Sequence, residues 1–79
     1  MDYSVNGILT TLQDLQREYI GRVSVYVDTL ILDNGDYMVA CCVFDKSGEP
    51  HTKGFYSYQS DEERKENLVS VLKRIKDAL

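Results

Sequence analysis

A single α+β domain in the order α-β-β-β-α is the fold class that the apolar pattern of this chain predicts. Both ends of the 79-residue chain carry apolar residues at helical spacing, and the middle holds three β-rich runs. Turn signals separate those runs, so a three-stranded antiparallel meander follows. The expected architecture is a two-layer sandwich over residues 1–79 with both helices on one sheet face.

The first helix rests on Val5, Ile8, Leu12, Leu15 and Tyr19, which recur at steps of three and four, with Leu9 and Ile20 beside them. Ser4 is a candidate N-cap, although Asn6-Gly7 weakens the first turn and could move the start to about residue 7. Gly21 stands where a left-handed C-terminal cap is expected. "RVSVYVDTLIL" and "YMVACCVFD" read as two strands joined by "DNGD", with Asn34 and Gly35 as a two-residue loop. A second reversal falls in "KSGEPHTK", with two loop residues at Ser47-Gly48 or four running through Pro50; "GFYSYQ" is the third strand. Pro50 is expected in the connection rather than in the sheet. Ser60 and Glu63 form a capping box for the last helix, whose apolar stripe is Leu68, Val71, Leu72, Ile75 and Leu79.

Strand side chains alternate between faces, so the loop lengths assign each residue a side. With Asn34 and Gly35 as the loop, Val25, Val27, Thr29, Ile31, Met38, Ala40, Cys42 and Phe44 face the helices. Tyr26, Asp28, Leu30, Leu32, Tyr37, Val39, Cys41 and Val43 then lie on the outer face. Both alternatives for the second loop put Phe55 inside and Tyr56 and Tyr58 outside. The outer face is therefore expected to gather four tyrosines among aliphatic side chains.

Composition narrows the function classes. The two cysteines, Cys41 and Cys42, are adjacent, and His51 is the lone histidine. That is too few for a disulfide framework or a closed zinc site, and adjacent strand cysteines lack the spacing of a redox pair. No cofactor motif, Ser/His/Asp set or paired carboxylate in a cleft is present, which points to a non-catalytic chain with no metal. No apolar run is long enough to span a bilayer. Together with the free cysteines, this favours a cytoplasmic, reducing location. The net charge is −4. Residues 1–45 carry seven acids against two bases, and residues 46–79 six acids against seven bases. No basic stripe of the kind that grips phosphate is present.

The element order resembles the double-stranded RNA-binding domain in topology. That family carries lysines at the start of its second helix to hold phosphates. Here Asp61, Glu62 and Glu63 occupy that place, with Arg64 and Lys65 following, which argues against direct nucleic-acid binding.

The expected function is accordingly protein interaction or regulation. Tyr26, Leu30, Tyr37, Val39, Tyr56 and Tyr58 form the expected surface, since tyrosine is enriched in interface cores. A second copy is the expected partner, because a two-fold dimer is the commonest closed assembly. The alternative is a small acidic inhibitor of a nucleic-acid-binding enzyme, in which Asp28, Asp33, Asp36 and Asp45 imitate phosphates.

Overall fold

The structure, a computed structural model, describes residues 1–79. Its elements are α1 (Val5–Glu18), β1 (Val25–Ile31), β2 (Tyr37–Phe44), β3 (Pro50–Tyr56) and α2 (Asp61–Ala78). The sheet is antiparallel in the order β1-β2-β3. Both helices pack on one face, as the paired apolar stripes predict. The core there is made by Ile8, Leu12, Val39, Cys41, Val43, Phe55, Leu68, Val71 and Ile75, all essentially buried.

Helix α1 begins at Val5, with the Ser4 hydroxyl accepting from the Gly7 N–H at 3.1 Å. Gly7 does not delay the helix. A Cβ there would clash with the Asp2 carbonyl oxygen, so glycine lets the first residues fold back over the opening turn. Ile20 is not part of the buried stripe and is 80% exposed. In α2 the Ser60 hydroxyl accepts from the Glu63 N–H at 3.1 Å. Its buried stripe runs Arg64, Leu68, Val71, Ile75 and Ala78, whereas Leu72 and Leu79 turn outward.

The register departs from the expected one at both turns, for the same reason. Leu32 N–H donates to Asp36 O (2.8 Å) and Gly35 N–H to Leu32 O (2.9 Å), which leaves Asp33, Asn34 and Gly35 as a three-residue loop. Asp45 and Glu49 frame Lys46, Ser47 and Gly48 in the same way, with bonds of 3.0 and 2.9 Å. Only the final loop residue is left-handed, at φ +88° for Gly35 and +85° for Gly48. A type I turn closed by such a glycine is the usual three-residue hairpin, whereas a two-residue type I′ turn would need positive φ at Asn34 as well.

Each odd-length loop inverts the facing of the strand after it. Two inversions cancel, so β1 and β3 face as expected and β2 alone is turned over. Val39, Cys41 and Val43 lie in the core, while Met38, Ala40, Cys42 and Phe44 lie on the outer face. Pro50, expected in the loop, is instead the first residue of β3 opposite Phe44. It is tolerated there because its missing N–H faces no neighbouring strand.

Candidate interaction surface

The outer face is built in rows across the three strands. Tyr26, Cys42 and Thr52 form one row; Asp28, Ala40 and Gly54 the next; Leu30, Met38 and Tyr56 the third. Phe44 and Pro50 extend the face beyond Tyr26. The Tyr26 and Phe44 rings meet edge to face, with centroids 5.5 Å apart and planes at 76°. At the other end Tyr56 stacks on Tyr58 at 5.0 Å and 29°. Both geometries are favourable for aromatic quadrupoles.

The Tyr56 ring is laid down over Gly54. A Cβ at Gly54 would sit 2.8 Å from the ring, so the absent side chain is what allows the tilt. Tyr58 is not a strand residue, contrary to the expected "GFYSYQ" strand. It is the third residue of a turn closed by Gln59 N–H donating to Tyr56 O at 3.1 Å, and this turn brings its ring back over Tyr56. The surface thus has an aromatic pair at each end and a low middle floored by Ala40 and Gly54. Tyr26 (63%), Tyr58 (65%) and Leu30 (56%) are well exposed. A shallow depression of about 520 Å³ adjoins the Tyr26–Phe44 end.

Tyr37 and Val39 do not belong to this surface. Val39 is 0% exposed in the core, and Tyr37 packs partly against the same cluster. The inverted β2 replaces them with Met38 and Phe44. The two cysteines exchange places as well: Cys41 is buried and Cys42 is half-buried on the outer face. Burial, with a lesser contribution from neighbouring Cys42, pushes the Cys41 thiol up to about 12, so it is not a nucleophile near neutral pH.

Three of the four candidate carboxylates have local hydrogen-bonding roles, and Asp33 sits exposed in the first loop. Asp28 accepts from the Thr29 N–H at 2.9 Å. Asp36 accepts from Asn34 Nδ2 at 2.8 Å and from Ser57 Oγ at 3.2 Å. Asp45 accepts from Ser47 Oγ (2.6 Å), Ser47 N–H (2.9 Å) and Glu49 N–H (2.9 Å), and lies 3.0 Å from His51 Nε2. The Ser47 hydroxyl foremost, then His51 and the Glu49 amide, hold the Asp45 carboxyl well below the usual carboxylate range. Asp36 and Asp45 lie at opposite ends of β2, nine residues or about 30 Å of strand apart, so the four do not form one array. Asp45, Glu49 and His51 offer potential metal-ligating atoms within 4.8 Å of one another, but the turn itself accounts for their grouping.

No family model, characterised protein or solved structure matches the chain. Function must therefore be argued from the surface itself.

Arg64, which follows the acidic start of α2, is the charged residue whose role the sequence reading missed. Its guanidinium is buried and donates to Tyr3 O (2.6 Å), Tyr56 O (2.8 Å), Gln59 O (2.6 Å) and Asp61 Oδ1 (2.5 Å). It ties the N-terminal segment, the end of β3 and the start of α2 together. The bidentate reach that would suit a phosphate is spent inside the fold. Its position at one helical turn before Leu68, on the buried stripe, was the available signal.

Proposed function

We propose that this chain is a small protein-interaction module that works through the outer face of its sheet, and that its partner is a second copy. The observation that carries the reading is the pair of aromatic clusters, Tyr26–Phe44 and Tyr56–Tyr58, on a face that no helix covers. Exposed apolar surface gathered in this way marks interaction sites, and tyrosine offers large contact area at low entropic cost.

Size sets the expected strength. Three strands at ~4.8 Å spacing and seven or eight residues long present a face of roughly 15 by 25 Å. That projected area is well below the ~800 Å² per partner of a standard interface, so the association belongs to the weak, transient class. Sedimentation equilibrium from ~10 μM to ~1 mM is the appropriate test. The expected result is a reversible dimer that changes little between moderate and high salt, because its contacts are apolar. Replacing Tyr26 and Tyr58, both largely exposed, by Ser should abolish it while leaving the circular dichroism spectrum unchanged. A monomer across the whole range would overturn the self-association reading.

A further inference from the structure

On the side of the sheet opposite the tyrosines, β3 and α2 enclose a cleft of about 310 Å³. Two spacings build it. His51 and Lys53, two residues apart on β3, point to the helix side, and Ser70 and Arg74, one turn apart on α2, face them. Val43 and Val71 form the floor.

Three features of the cleft favour an anion. First, it is lined by Lys53 and Arg74 and by no carboxylate, in a chain whose net charge is −4. Second, neither Lys53 nor Arg74 takes part in an ion pair. Asp45, which lies 3.0 Å from the cleft-lining His51, is held by the turn amides and that histidine. Third, the strand pairing leaves a backbone donor free at the edge of β3 that borders the cleft. Asp45–Glu49 and Tyr37–Ser57 are bonded pairs, so the odd-numbered residues of β3 bond to β2 and the even-numbered ones face outward. Pro50 has no N–H, and Gly54 O and Tyr56 N–H and O are satisfied by Asn67, Gln59 and Arg64. Thr52, which lines the cleft, keeps its N–H outward.

We propose that this cleft binds a phosphate-type oxyanion. Arg74 and Lys53 supply the charge, and the Thr52 N–H and Ser70 hydroxyl supply directed hydrogen bonds. The volume is at the small end of ligand pockets, enough for a phosphate with a short organic group attached. The site is independent of the tyrosine face, so either can fail without the other.

The test is a ¹H–¹⁵N spectrum of the whole chain titrated separately with inorganic phosphate and glycerol 3-phosphate, at ionic strength matched with sodium chloride. Saturable shifts are expected at the amides of residues 51–53 and 70–74, with chloride alone producing none. R74A and K53A, both at exposed positions, should each weaken binding at least tenfold while the rest of the spectrum stays in place. Equal affinity for the two probes would identify the free anion as sufficient; tighter binding of the ester would place its organic part in the cleft. Linear shifts matching those of chloride, or saturable shifts unchanged in the K53A/R74A double variant, would overturn the proposal.

Discussion

Arg64 illustrates how one side chain can hold three chain segments. Its acceptors include three backbone carbonyls, one in the N-terminal segment and two in the turn after β3, and an unsatisfied buried acceptor costs about 1–3 kcal/mol. R64K should therefore destabilise the fold by about 2–4 kcal/mol, because a single ammonium cannot span the planar fork of the guanidinium. D61N should cost under about 1 kcal/mol, since the Asp61 side chain is 72% exposed and asparagine still accepts a bond. Urea midpoints of the two variants would check the contrast. Asp45 makes a pH prediction. Its folded carboxyl titrates below the usual value near 4, so its charge-linked stabilisation is complete above that value and fades as pH falls through it toward the folded one. The stability difference between the wild type and D45N should be largest near pH 5 and shrink steadily toward pH 2 in acid-dependent urea titrations.

At the scale of elements, the helices and the order of the strands were legible because each signal had a second one agreeing with it. The α1 stripe agreed with its Ser4 cap, and the α2 stripe with Ser60. The facing of β2 was not legible. "YMVACCVF" is apolar on both sides, so polarity alternation is silent and facing depends wholly on loop length. Asn34-Gly35 suits a two-residue turn and also the last two places of a three-residue one, and composition alone does not separate them. Tyr26, Leu30 and Tyr56 lie on the outer face as expected, on the strands whose facing survived, whereas Tyr37 and Val39, on the strand that turned over, face the core. The open sheet edges differ in their protection. Along β1 the odd-numbered backbone groups point outward, where the Asp28 carboxylate caps the Thr29 N–H and Gln16 covers Val25 O at 2.9 Å. Asp28 thus serves as an edge guard. D28V should raise the weight-average mass above that of the wild type at equal concentration, whereas D28N, which keeps an acceptor, should not. An equal rise in both would assign the guarding to charge alone.

Considered as a whole molecule, the fold separates two surfaces by the thickness of one sheet. Aromatic contacts are available on one side, and unpaired cationic side chains beside α2 on the other. No helix is long and apolar enough to cross a membrane. The core is a single layer of side chains between sheet and helices, so few positions in the chain are free to change side. The twin turns bear on that constraint. Gain or loss of one residue in the first loop would swap the sides of β1 relative to the rest, and in the second loop those of β3. A one-residue change in both loops together would restore the outer strands and strand the middle one. Length variation in this chain should therefore be tolerated in steps of two within a single loop, so that the hairpins act as a parity check on insertions and deletions.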